Sequence, residues 1–348
     1  MKLIIQIPCY NEEETLPITF SQLPKSIEGI DTIEYLIIND GSKDNTVQVA
    51  RSLGIHHIVS FPNNRGLARG FMAGIDACLK LGADIIVNTD GDNQYSGYDV
   101  EKLVRPILDG KAEIVVGDRD TDSIGHFSTL KKKLQKLGSF VVRQASHTEV
   151  SDTTSGFRAY SRDAAMKINV VSEYTYTLET IIDAGHKKLG IENVKIGTND
   201  KLRESRLFKS MYSYIKRSAV TIIRTYSMVK PLSIFLTTGL LFIMLGLGIG
   251  IRYLFFFFSG DGSGHTQSLI LSSITITIGV QAIFFALIAD AIAANRKIND
   301  ELLYRVKKIE YEYLAKEKMS QCESTLNIKT NEHNDNVNIK EKDKQKKS

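Results

Sequence analysis

Asp90 and Asp92 stand either side of Gly91, directly after the apolar run ADIIVNT. Carboxylates at i and i+2 on a turn can bring hard oxygen ligands toward one divalent ion, and such an ion neutralises the charge that develops on a departing diphosphate. Gln94 is placed to complete that shell. Asp-Gly-Asp is also an ordinary turn sequence, so the pair alone leaves turn-making open beside metal binding. Two more carboxylate-rich turns follow apolar runs, PCYNEEETL after LIIQI and NDGSKDNT after EYLII. Asp40, Ser42 and Asp44 have the side chains of helix caps, yet three such turns at three run ends argue for one shared pocket. Further along stand Arg119, Arg143, Arg158, Arg203 and Arg206. Guanidinium meets phosphate oxygens in pairs, which suits these arginines to an anionic ligand; solvated surface is the plain alternative for one or two of them.

The elements that must hold these groups follow from the apolar pattern. LIIQI, EYLIIN, HHIVSF, ADIIVNT and EIVVG are short continuous runs separated by helix-length segments, the rhythm of a βαβ chain. Such strands form a mostly parallel sheet covered on both faces, with ligands beyond the strands' C-terminal ends. Asp40, Asp90 and Arg119 all fall just past such ends. Neither GxGxxG nor GxxxxGK[ST] accompanies them, which excludes the ordinary dinucleotide fingerprint and the P-loop. Gly66, Gly70 and Gly74, spaced by four, are expected to form a small helical face packed closely on the sheet.

The remaining organisation comes from hydropathy and charge. Ser233 to Ile251 and Thr266 to Ala289 are uncharged stretches of the length, about 20 residues, that a helix needs to cross a bilayer. The connector SGDGSGH has no Lys or Arg, whereas Lys216, Arg217, Arg224 and Lys230 precede the first stretch and Arg296, Lys297, Arg305 and Lys307 follow the second. That asymmetry puts both termini on the cytosolic side, with Arg252 snorkelling to the far interface; buried core helices are the alternative. Residues 208–231 carry apolar groups at helical spacing among basic ones, the pattern of an interfacial helix. Ile298, Leu302, Val306, Ile309 and Tyr313 continue a stripe suited to a partner subunit or to the domain's underside, and a homo-oligomer is expected to use it. Three cysteines without a CxxC pair suit a reducing compartment, and the short apolar run at the N-terminus is too brief for a secretory signal. A net charge of +4 spread over this length gives no nucleic-acid signature.

PCYNEEE, NDGSKDNT, NNRGLARG, DGDNQ, GDR and TTSGFR, in this order and at these separations, resemble the family 2 glycosyltransferases of the dolichyl-phosphate mannose synthase and polyprenyl-phosphate glycosyltransferase type. The resemblance runs from about Met1 to Lys308 and is specific as a set. It implies a GT-A fold, an α/β Rossmann-like domain with a mostly parallel sheet, over 1–207. The rest divides into the interfacial helix 208–231, spans 232–258 and 266–290, a cytosolic amphipathic helix 291–316 and a disordered tail 317–348. It implies an inverting transfer of a hexose from a nucleotide-diphosphate sugar, GDP-mannose or UDP-glucose in type, to a polyprenyl phosphate. Mg or Mn would be held by Asp90, Asp92 and Gln94, and the nucleoside by Pro8, Tyr10, Glu12 and Asp40 together with Asp90. Asp92, with Arg119 and Arg158 on the acceptor side and Arg203 and Arg206 on a closing loop, would carry catalysis. An ionised phosphate acceptor attacks without a general base. A hydroxyl acceptor would need one, and Asp118, Asp152 and Glu179 are the candidates. The chain departs from the common pattern at Asn39 and Tyr95, where many members have Asp and Pro. It has no tryptophan and so lacks the QxxRW signature typical of processive polysaccharide synthases.

Overall fold

The computed structural model describes residues 1–119, 148–171, 175–200, 231–260 and 265–345, with scattered positions between 140 and 146 and at 220, and from 318 onward the backbone alone. Arg203, Arg206 and all of the expected interfacial helix except Val220 and Pro231 lie outside the described residues.

Each of the five apolar runs is a strand: β1 Lys2–Cys9, β2 Thr32–Asn39, β3 His57–Ser60, β4 Ile85–Asn88 and β5 Ile114–Asp118. Helix-length returns between them make these strands parallel. Two strands escape the apolar pattern, β6 Arg158–Ser161 and β7 Ile191–Lys195. The sheet order is β3-β2-β1-β4-β6-β5-β7. β6 alone runs antiparallel, pairing Asn88 of β4 and Val116 of β5 with Arg158. That insertion carries the TTSG turn, which precedes β6, to the same sheet edge as the loops leaving β1, β2, β4 and β5.

Helices α1 (Leu16–Ser21), α2 (Thr46–Ser52) and α4 (Val100–Leu108) cover one face of the sheet. On the other lie α3 (Leu67–Lys80), α5 (Arg162–Lys167) and α6 (Thr177–His186). Alternation along β1 supplies both cores: Ile4 enters the α3 side, while Leu3, Ile5 and Ile7 enter the other. Gly70 and Gly74 bring α3 against the sheet as expected. A Cβ on Gly74 would lie 2.4 Å from Gln6 Oε1 and 2.8 Å from Ile38 Cδ1. Gly66 instead makes the turn before α3, with φ of 91°.

Helices α7 (Pro231–Phe258) and α8 (Thr266–Gln345) are each long and apolar enough to cross a membrane, and only 11% of each apolar window is buried. Their apolar windows are therefore not core segments of the domain. They pack on each other through small residues: Gly239 approaches Gly279, and Ser272 Oγ donates to the Gly246 carbonyl at 2.7 Å. No Gly or Pro follows Gly279, so α8 runs unbroken through 291–316 and through the expected tail to Gln345. Its apolar stripe Ile298, Leu302, Val306, Ile309 and Tyr313 is more than half exposed at every position. The α/β domain takes the opposite face of this helix.

Candidate active site

The loop after β4 folds as an alternation. Gly91, Asn93 and Tyr95 are buried, while Asp90, Asp92 and Gln94 stay half-exposed on the outer side. The buried members fix it. Thr15 Oγ1 and Thr19 Oγ1, four residues apart at the start of α1, both donate to the Gly91 carbonyl, at 2.8 and 3.2 Å. The segment after β7 ties down the other end: Asn199 donates from its backbone to the Gln94 carbonyl and from its side chain to those of Asn93 and Tyr95. Neither clamp is visible as a motif, although the i, i+4 threonines in ETLPIT are a local hint of the first.

Tyr95 explains its departure from the family pattern. Its ring stacks on Phe157 at 5.2 Å, and its hydroxyl accepts the Gly156 amide at 2.9 Å. The loop is thereby bonded to the TTSG turn. Burial pushes this phenol up from its ordinary value. Gly156 in turn leaves room for Asp90, whose carboxylate oxygens lie 3.2 and 3.3 Å from where a Cβ would stand. Behind them, Asn88 Nδ2 donates to the Gly156 carbonyl and to the Tyr176 hydroxyl, and Gln6 Nε2 donates to Asn88 Oδ1.

The nucleoside residues expected at the ends of β1 and β2 come together. Pro8 and Glu12 flank Gly91, with the Pro8 carbonyl and Glu12 Cγ at 3.5 and 3.4 Å from its Cβ position. Pro8 and Tyr10 are half-exposed. Glu12 is buried, and its Oε2 lies 2.6 Å from Thr15 Oγ1. The β1 loop is stapled to the β2 loop. Asn11 N donates to Ser42 Oγ, Lys43 N to Asn11 Oδ1, Glu12 N to Thr46 Oγ1 and Glu13 N to Asp44 Oδ2. Burial would raise the Asp44 carboxyl, but the bonds it accepts from Thr46 and Glu13 hold it below its usual range. Asp40 is buried and takes the Arg65 and Gly66 amides on its two oxygens, at 2.6 and 3.0 Å. It thus fixes the entry to α3. Asn39, the other departure, accepts from Ser42 N and donates to Ser60 Oγ, linking the ends of β2 and β3.

The arginines are placed differently from the expectation of phosphate contact. Arg119 forms a two-point ion pair with Asp152 at 2.6 and 3.0 Å and donates to Thr154 Oγ1 at 2.7 Å. Its side chain is 13% exposed and that of Asp152 is 1% exposed. Burial by itself would raise the Asp152 carboxyl, but the guanidinium outweighs it and holds the group below the aspartate range. Arg158 has no exposed surface, and its three nitrogens donate to the Ser155 carbonyl, Thr180 Oγ1 and the Thr153 carbonyl. Here it positions the TTSG turn rather than meeting solvent. Arg143 donates to the Val150 carbonyl at 3.4 Å. Of the three candidate bases, Asp152 is committed to Arg119. Glu179 is 2% exposed and accepts the Val171 amide, while Asp118 is half-exposed and accepts from Ser151 Oγ at 2.6 Å.

The donor set suits a hard divalent ion: two carboxylates and an amide oxygen alternate on one accessible edge, held by buried clamps. Among the described residues no group of three His, Cys, Asp or Glu side chains gathers to hold a metal. A cation here would draw its remaining ligands from a bound diphosphate and water, as Mg and Mn do in phosphate sites.

Comparison with known proteins identifies the family and the fold. The profile of Glycosyl transferase family 2 matches residues 4–168. The UDP-N-acetylglucosamine–dolichyl-phosphate N-acetylglucosaminyltransferase of Methanococcus voltae is 31% identical over 216 residues, 55% of this chain and 83% of that protein. The undecaprenyl-phosphate mannosyltransferase of Micrococcus luteus is 25% identical, over 56% of this chain and 82% of that one. The fold matches crystal structures of glucosyl-3-phosphoglycerate synthase from Mycobacterium tuberculosis. The UDP complex has a TM-score of 0.53 at 20% identity, covering 65% of this chain and 80% of that one. A complex with Mn2+, UDP and glucosyl-3-phosphoglycerate gives 0.50 at 18%, covering 65% and 78%. This chain belongs to glycosyl transferase family 2 and is a glycosyltransferase with a GT-A fold.

Proposed function

We propose that the protein transfers a hexose, with inversion, from a nucleotide-diphosphate sugar of the GDP-mannose or UDP-glucose type to a polyprenyl phosphate at the cytosolic face of a membrane. The observation that carries this reading is the β4 loop, where Asp90, Asp92 and Gln94 alternate with buried, clamped neighbours. The M. voltae and M. luteus relatives, named for transfer to dolichyl and undecaprenyl phosphate, support the acceptor class. So does the state of two of the three candidate bases. Asp152 and Glu179 are buried and bonded, and an ionised phosphate needs no base.

In this reading Pro8, Tyr10, Glu12 and Asp40 border the nucleoside, with Asp40 acting through the loop it holds. Asp90, Asp92 and Gln94 would bind Mg or Mn, which supplies charge neutralisation to the departing diphosphate. Asp90 is set against the TTSG turn by Gly156, so donor and acceptor sides meet at that contact. Arg119 and Arg158 hold the turn in place. Arg203 and Arg206 supply positive charge near the phosphates. The catalytic domain spans 1–207, and the α7–α8 hairpin crosses the bilayer and keeps the site at headgroup level.

Titration calorimetry with UDP and GDP, with and without Mn, tests the metal assignment. Wild-type protein is expected to bind one nucleotide tightly only with Mn, and Asp92→Ala to lose that enhancement with an unchanged melting temperature. Equal Mn-dependent binding by Asp92→Ala would overturn it.

A further inference from the structure

Helix α8 does more than cross a membrane. Past its apolar window it lies across the α3–α5–α6 face of the catalytic domain, through Asp300, Tyr304, Lys307, Tyr311 and Leu314, which at 100° per residue share one side of the helix. Asp300 meets Asn169 Nδ2 at 3.5 Å and Lys187 Nζ at 3.6 Å, at the ends of α5 and α6. The Tyr304 hydroxyl donates to Asp163 Oδ1 at 2.7 Å, in α5. The Tyr311 hydroxyl donates to Asp76 Oδ1 at 2.8 Å, in α3, and Glu310 lies 3.7 Å from Lys80. Tyr311 is 2% exposed and belongs to the domain's own core cluster, with Tyr304 and Leu314 packed beside it. Burial lowers Lys307 below its ordinary value.

These contacts reach three helices of the catalytic domain, and the same unbroken helix packs against α7. A continuous helix transmits orientation, because bending it would break backbone hydrogen bonds. We infer that residues 300–314 of α8 are a docking arm, with Tyr304 and Tyr311 as positioning residues that hold the catalytic domain at one fixed angle to the hairpin. The inference rests on the membrane and lipid-acceptor reading above. A fixed angle matters for an acceptor confined to a bilayer and is irrelevant to one that diffuses freely to the site.

The test uses the full chain in vesicles, comparing wild type with the double variant Tyr304→Phe/Tyr311→Phe, which keeps the rings and removes both hydrogen bonds. Transfer to long-chain polyprenyl phosphate in the bilayer is expected to fall about a hundredfold or more, the scale of two lost hydrogen bonds to carboxylates. Transfer to a short, water-soluble prenyl phosphate is expected to stay within about twofold of wild type. Equal losses on both acceptors, or no loss on either, would overturn the arm.

A second readout does not depend on turnover. Spin labels at Glu28→Cys, in the catalytic domain, and Phe258→Cys, at the end of α7, in a Cys322→Ser background, report the distance between the two parts. One narrow distribution in the parent and a broadened one in the double variant are expected; identical distributions would refute the arm. Wild-type protein that fails to float with the vesicles would instead refute the membrane reading, and the arm with it.

Discussion

At the residue scale, the site is built by pairs that sequence distance hides. Arg119 and Asp152 are 33 positions apart, and Tyr95 and Gly156 are 61 apart. The residue types at Asp90, Asp92 and Asp40 announce ligand chemistry, but nothing local tells that Asp40 would spend both oxygens on the Arg65 and Gly66 amides. Nor does the motif GFR reveal that Arg158 is buried. The ion pair makes a pH-dependent prediction. Asp152 is depressed in the folded state, so its stabilisation is present above the unfolded value of about 4 and is lost as pH falls through the folded value. Arg119→Ala removes the two-point ion pair from a buried carboxylate and is expected to cost about 3–5 kcal/mol at neutral pH. The pH dependence then reverses: protonation relieves the buried charge, so the variant should recover stability as pH is lowered from 7 toward 5 while wild type does not. Melting curves across that range check this, and parallel profiles would contradict it. Tyr95→Phe strands the Gly156 amide and should cost about 1–3 kcal/mol, measured by denaturant unfolding.

At the element scale, the legible strands are those whose apolar runs are continuous. β1, β2, β4 and β5 read directly because their apolar runs are buried on both faces, and the half-exposed edge strand β3 reads from its run HHIVSF. β6 is four residues, RAYS, beginning with a buried arginine, and β7 is half-exposed IENVK. Neither carries a period strong enough to stand out, and both are made strands by their neighbours. β6 nonetheless decides the site, since its antiparallel entry delivers the TTSG turn to Asp90. Gly156→Ala tests that contact. Its Cβ would lie 2.8 Å from the Tyr176 hydroxyl and within 3.3 Å of the Asp90 carboxylate. Displacement of Asp90 should reduce turnover more than tenfold, with Mn-dependent nucleotide affinity falling in parallel. Full activity would mean that Asp90 tolerates movement and is no ligand.

At the scale of the whole molecule, hydropathy shows the α7–α8 hairpin plainly, but the way its extension meets the catalytic domain was hidden. The conspicuous stripe Ile298, Leu302, Val306, Ile309 and Tyr313 faces outward, and docking uses Asp300, Tyr304 and Tyr311, whose polar groups no search for apolar periodicity selects. Because Tyr311 completes the domain's core, Tyr311→Ala should cost about 3–5 kcal/mol, read as a lower melting temperature of the intact chain in detergent. A shift no larger than that of an exposed tyrosine such as Tyr313 would show that the helix is only loosely apposed. The central claim, lipid-phosphate glycosylation, is tested most directly by offering labelled GDP-mannose, UDP-glucose and UDP-N-acetylglucosamine in turn to membranes holding the protein, with polyprenyl phosphate and Mn. The account predicts a labelled, mild-acid-labile lipid from one donor, abolished by EDTA and by Asp92→Ala; label in a neutral glycolipid or a sugar polymer, with none on the lipid phosphate, would contradict it.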